Sequence, residues 1–350
     1  MFFSKKTKGY FVEMNENSVL LARTSSPSAP MEVEELRECT LNDEAGMAEI
    51  LKLLQPKRPP SGYLHAVVGV YPAKRVVRKH TLELKKMKDP AYMAELFTQQ
   101  LRIEQDKFTI GMINATDGSD YDLAKATQKE VIFCGAPNDE INTLQENLLN
   151  AGLYPERLEL GSVATLGALV DCLAFEKSKT PTLVLDVGND TTHSFIVSSN
   201  GVEASRPIPQ GLEAMVPVVQ KELGLKDEES ARKLFRSNTF DFTGMGPLLI
   251  KRLLKELQSS IGFYEVQTGQ SVGQVICIQL SPKLAWLEGA LASSLGIAVL
   301  KFDPVPWLRS RQVVVPDALS KTAGEFRWFG LMSLMVHYNS QNGAATDEKK

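Results

Sequence analysis

The stretch Asp186-Val187-Gly188-Asn189-Asp190-Thr191-Thr192 brings carboxylates, a glycine and hydroxyls into one short turn between two apolar runs. A turn of this kind can hold a phosphate. Successive backbone N–H groups form an anion-binding concavity, Gly188 lets the backbone come close, and Thr191 and Thr192 add hydroxyls. Asp186 would then orient water on a Mg²⁺ ion. The plain alternative is a hairpin with a polar tip, because an Asp-x-Gly triplet is common by chance. Near the N-terminus a second acidic turn, Glu13-Met14-Asn15-Glu16-Asn17-Ser18, aligns with the first acid over acid. Asn15 then falls over Gly188, Asn17 over Asp190 and Ser18 over Thr191.

The other reactive residues point to no second chemistry. His65, His80, His193 and His337 lack the mutual spacing of a metal site or a catalytic triad. Cys39, Cys134, Cys172 and Cys277 are far apart and read as buried thiols in a reducing compartment. Nucleophile-elbow, Walker A and Rossmann fingerprints are absent. Glu34-Glu35 and Glu228-Glu229 lie in charged stretches and read as solvated. Lys74, Arg75, Arg78, Lys79, Lys85, Lys86 and Lys88 form a candidate basic flank for an acidic partner segment or an anionic membrane leaflet. Its alternative is a solvated strand face. A net charge of -3 with mixed signs argues against nucleic acid as a partner. No apolar leader follows Met1, and no window reaches the ~18–20 apolar residues that cross a bilayer. A cytoplasmic protein is expected.

Strands must carry these turns. Thr182 to Val187, Thr192 to Val197 and Val202 to Ile208 alternate as an antiparallel meander, with Asn200-Gly201 as its second tight turn. Leu212, Met215, Val216, Val219 and Leu223 then recur at helical spacing. The N-terminal segment repeats the strand, acidic turn and strand. Downstream, "EVIFCGAP" (Glu130 to Pro137) leads a βαβ tail as "QVICIQLSP" (Gln274 to Pro282) does. The chain is therefore expected to be α/β, with duplicated ribonuclease H-like domains flanking a cleft and a small α/β subdomain inserted in the first lobe. The expected first lobe is 8–63 and 123–180, the insertion 64–122, the second lobe 181–338 and a disordered tail 339–350.

Several phrases, in this order along the chain, resemble the type IV pilus assembly protein PilM family of the actin-like ATPase superfamily. They are "VVGVYPAKRVVRKHTLEL", "LLNAGLYPERLELGSVATLGAL", "LVLDVGNDTTHSFIVSSNGVEASRPIPQG", "ARKLFRS" and "LLKELQSSIGFYE". The resemblance implies an actin-like fold, ATP with Mg²⁺ in the cleft, and capture of the cytoplasmic N-terminal peptide of a PilN-like inner-membrane protein. It also implies contact with other pilus platform components and with the membrane only indirectly. The peptide groove would be lined by "AVVGVYP" and the helix starting at Pro90. Against the family pattern, Asn15 replaces a glycine, Glu13 an aspartate, and Gln279-Leu280-Ser281-Pro282 a Gly-Gly pair beside the adenosine. We therefore expect a non-catalytic adaptor with weak or absent ATP binding. The alternatives are an active ATPase or small-molecule kinase of the same superfamily, and a filament former.

Overall fold

The computed structural model describes residues 7–336 apart from 16–17, 42, 56–60, 124–127 and 238. The expected tail, His337 and Asn17 lie outside the described residues. The chain forms two compact units: the chain up to Cys172 together with the chain from Asp303, and Leu173–Phe302.

The first part of the chain carries β1 (Gly9–Met14), β2 (Ser18–Thr24), β3 (Met31–Thr40), α1 (Glu44–Leu54), β4 (Leu64–Val70) and β5 (Val76–Thr81). It continues with α2 (Pro90–Glu95), β6 (Phe108–Asn114), β7 (Glu130–Pro137), α3 (Asn138–Asn150), β8 (Leu153–Leu160) and α4 (Gly161–Phe175). The second unit holds β9 (Thr182–Val187), β10 (Thr192–Ser198), β11 (Gly201–Ile208), α5 (Val216–Glu222), α6 (Glu228–Arg236) and α7 (Gly246–Leu249). It ends with α8 (Lys251–Thr268), β12 (Gln274–Ile278), α9 (Ala285–Leu295) and β13 (Ala298–Val299). Then α10 (Pro304–Ser310), β14 (Val313–Val314), α11 (Asp317–Ala323) and a helical segment at 329–336 return to the first unit.

The two main sheets repeat each other. The first runs β14-β3-β2-β1-β4-β8 and the second β11-β10-β9-β12-β13. In each, a three-stranded antiparallel meander is followed by two parallel strands beside its first strand. The inner strands are almost wholly apolar, as strands covered on both faces must be: β4 is buried except at His65, and β9 except at Val187. In β3, Val33 and Leu36 share a face although they are three residues apart, because the register shifts opposite Arg23 and Thr24. Helices α1 and α3 cover one face of the first sheet, with Met47, Ile50, Leu54 and Leu148 meeting Val12, Leu21 and Val68. Helices α5, α6, α8 and α9 supply the core of the second unit. Asp43, Asp227 and Asp303 cap α1, α6 and α10.

Several boundaries differ from the sequence reading. "LHAVVGV" is not part of the insertion; it is β4, a central strand parallel to both β1 and β8. The inserted sheet is β5-β7-β6, so "EVIFCGAP" belongs to the insertion and the true counterpart of β12 is β4. A fully apolar strand has no periodicity that says which sheet it joins. The helix expected to start at Pro90 ends its α-part at Glu95 and continues as a π-helix, Leu96–Leu101, whose five-residue step puts Leu96 and Leu101 on the same buried face. The segment from Asp303 was expected in the second lobe. Instead β14 pairs with β3, and Asp171 holds both Trp307 Nε1 (2.9 Å) and Arg311 Nε (2.7 Å).

Candidate nucleotide-binding turns

The second-unit turn grows out of the ends of β9 and β10. Asp186, next to last in β9, is 2% exposed, with His193 on one side and Ile278 on the other in register. Gly188 donates its N–H to Thr191 O (3.0 Å), which closes the turn. A neighbouring loop braces it: Leu212 N–H donates to Gly188 O (3.0 Å) and Glu213 N–H to Asn189 O (2.9 Å). That approach needs a glycine, since a Cβ on Gly211 would sit 2.2 Å from Asn189 O and 2.5 Å from Gly188 O. Arg236 Nη2 donates to Asn189 Oδ1 (3.0 Å) and pairs with Glu213, which also holds Arg232 Nε at 2.8 Å. Burial pushes the Glu213 carboxyl up, but the two guanidinium groups outweigh it and hold it below the usual range. The Thr192 side chain, expected to offer a hydroxyl to phosphate, is buried and donates instead to Gln210 O (2.7 Å). Asp190 lies exposed at the tip.

The first-unit turn takes the same place in its sheet and is closed by its own side chains. Glu13, at the end of β1, is 1% exposed, and Tyr71 donates its hydroxyl to Glu13 Oε1 (2.6 Å). The Tyr71 ring lies where a Cβ on Gly161 would fall, 2.3 Å from ring atom Cζ. Asn15 N–H donates to Ser18 O (3.1 Å), and Ser18 N–H donates to Asn15 Oδ1 (2.8 Å). A backbone donor that a phosphate would need is thus engaged by the asparagine side chain. The backbone of Asn15 is not in the left-handed region, so what separates it from glycine is this side-chain bond. Level with Glu13 across Gly69 stands a second carboxylate, the half-buried Glu159. Burial raises its carboxyl above the usual range, partly countered by Arg157 Nε at 2.7 Å.

After β12, Gln279 sits at φ 59°, a left-handed conformation that glycine adopts freely and a side-chain residue does not. The loop keeps a glycine's backbone shape with a glutamine on it. Leu280 is half-buried against the core of its unit.

Tyr71, Gly161, Gly211 and Arg236 were not among the residues singled out from the sequence. Only Gly211 had a local signal, as a glycine at a helix entry. The basic flank is also revised. Arg75 is 7% exposed, with Nε on Ser162 Oγ (3.0 Å) and its guanidinium over the Tyr71 ring. Lys79 pairs with Glu130 (2.6 Å), and Arg78 donates to Gln100 O (3.2 Å). Glu34 is not simply solvated, since Lys8 and Arg23 both hold it. Cys39, Cys172 and Cys277 are buried, and burial pushes the Cys134 thiol up to about 11. Among the described residues, no group of His, Cys, Asp and Glu is placed to hold a metal ion, and no helix is long and apolar enough to cross a membrane.

No protein-family model and no curated protein matches the sequence. Solved structures do match. A chain of the "PilM-PilN type IV pilus biogenesis complex" superposes with a TM-score of 0.65 at 18% identity, over 95% of this chain and 99% of that one. The fold is actin-like. Its doubled sheet and inserted subdomain agree with the resemblance to PilM seen in the sequence. Weaker matches are the ethanolamine utilization protein EutJ from Carboxydothermus hydrogenoformans (TM-score 0.45, 11% identity, 94% of this chain and 89% of that one) and a Bacteroides thetaiotaomicron protein with an actin-like ATPase fold (TM-score 0.42, 9% identity, 91% and 95%).

Proposed function

We propose that this chain is a PilM-like adaptor of a type IV pilus or related envelope machine. It would act at the cytoplasmic face of the inner membrane and bind the N-terminal peptide of a PilN-like membrane protein. The observation that carries this reading is the fold match over nearly the full length of both chains to a PilM–PilN complex. The peptide would dock in the first unit beside the insertion by backbone pairing and apolar pockets. The strand Ala66–Val70 offers no free edge for that pairing, because β4 is hydrogen-bonded on both sides.

The nucleotide site is read as degenerate. The Asn15 side chain engages Ser18 N–H, Tyr71 engages Glu13, and Gln279 carries a side chain where a glycine would suit. These support weak or absent binding of Mg-ATP. The buried Asp186 and the closed Gly188 turn favour a second reading, an active ATPase.

Calorimetric titration of the purified chain with the cytoplasmic N-terminal peptide of the neighbouring membrane protein, with and without Mg-ATP, tests both. The adaptor reading expects peptide binding that Mg-ATP leaves unchanged. Absence of peptide binding in both conditions refutes it, and ATP turnover that Asp186→Ala abolishes establishes the ATPase instead.

A further inference from the structure

A groove of about 360 Å³ opens in the second unit, between α5 and the corner of α7 and α8. Val218 and Leu248 give it an apolar floor, and Leu248 is 42% exposed. Lys221, Lys251 and Arg252 all reach it, against one carboxylate, Glu222. Three of the four arginines of this unit, Arg206, Arg232 and Arg236, each hold a carboxylate. Arg252, Lys221 and Lys251 form no ion pair among the described residues. Ala214, Val218 and Lys221 follow one another along a single face of the helical stretch that ends in α5, so the groove runs beside a helix as a peptide-binding groove does. Gln210, at its wall, keeps a buried side-chain oxygen with no hydrogen-bond partner. A turn of that side chain would offer the oxygen to a bound backbone N–H.

We propose that this groove docks a partner peptide bearing an apolar anchor flanked by carboxylates. The anchor covers Val218 and Leu248 and supplies most of the affinity, as buried interface anchors do. The carboxylates meet Lys221, Lys251 and Arg252, which sets selectivity and association rate. The wall of the groove is also the brace of the acidic turn, since Gln210 O accepts from Thr192 and Leu212 N–H donates to Gly188 O. Occupancy is therefore felt at Gly188 and Asn189. This surface belongs to the second unit and does not depend on the adaptor reading.

The test pans a displayed library of random dodecapeptides against the full chain, then measures the enriched peptides by fluorescence anisotropy. Enrichment of acidic sequences carrying Leu, Phe or Trp is expected. Their affinity should fall about tenfold or more in Lys251→Glu/Arg252→Glu and weaken with added salt. Ala214→Trp, which fills the groove without touching its charge, should abolish binding while thermal unfolding stays cooperative; if the charge-reversed variant fails to fold, this variant decides. Overturning results are an absence of enrichment, enrichment of basic or neutral sequences, or equal binding to wild type and variants. Capture of vesicles containing an anionic phospholipid, lost in the variants and with no peptide enriched, would assign the groove to the membrane and also overturn the proposal.

Discussion

The acidic turns of the two units sit at the same position in sheets of the same strand order and share one closing backbone bond, Asn15 N–H to Ser18 O and Gly188 N–H to Thr191 O, yet their other supports differ. The first is closed by its own side chains, Asn15 on Ser18 and Tyr71 on Glu13. The second is held from outside by the backbone of Leu212 and Glu213. A turn keeps its capacity to bind an anion only if its N–H groups are not already engaged. A duplicated topology therefore repeats the place of a site without repeating its chemistry.

Adding a methyl group at each support should expose the difference most sharply. In Gly211→Ala the new Cβ meets two backbone carbonyls, which cannot rotate away, so the second unit should lose about 3 kcal/mol. In Gly161→Ala the clash is with the Tyr71 ring, a side chain that can move, and about 1–2 kcal/mol is expected. Urea unfolding of both variants checks the order. A larger loss at Gly161 would mean that the brace around Gly211 is not what holds the second turn.

Removing single hydroxyls should have a smaller effect and separate the turns again. Tyr71→Phe leaves a buried carboxylate oxygen short of its donor and should cost about 2 kcal/mol, whereas Thr192→Val leaves a neutral carbonyl short and should cost about 1 kcal/mol. Equal costs would imply that Glu13 has another donor as strong as Tyr71.

How far the sequence revealed this arrangement differs by element. The second meander was legible because its alternation is clean and its turns are polar. Even so, the turn predicted at Asn200-Gly201 is centred one residue earlier. Ser198 pairs with Gly201, so Ser199 and Asn200 form the turn; Gly201, at φ 126°, opens β11, and the bulge falls at Glu203. The insertion was misplaced because β4 and β7 are both continuous apolar runs, and only tertiary pairing distinguishes a central strand from one in a satellite sheet. The Asp186 turn could be read locally. The Tyr71–Glu13 contact could not, since 58 residues separate the partners and nothing in either neighbourhood marks them. The burial of Arg75 was hidden for a related reason: in a run of basic residues, the one that folds inward is chosen by Ser162 and the Tyr71 ring.

The paired carboxylates of the first sheet give a pH test. Burial raises the Glu159 carboxyl, so the folded chain binds that proton more tightly than the unfolded chain. Its contribution is favourable at low pH and is lost as pH rises above the ordinary carboxyl range. Glu159→Gln should therefore raise the Tm at neutral pH and leave it unchanged near pH ~4. A neutral-pH loss would mean that the Arg157 contact outweighs burial.

The smallest expected change in stability bears most directly on function. Asn15→Gly removes the side-chain acceptor of Ser18 N–H but leaves the Asn15 N–H to Ser18 O bond, so it should cost only about 0.5–1 kcal/mol. It also frees the donor that a phosphate would need. If engaged donors are what separate the turns, calorimetry should find Mg-ATP binding more tightly to Asn15→Gly than to wild type. Asn189→Ala, which removes only a contact with Arg236 at the second turn, should give no such gain. A gain in neither variant would place the obstacle elsewhere, with the Gln279 side chain as the next position to change.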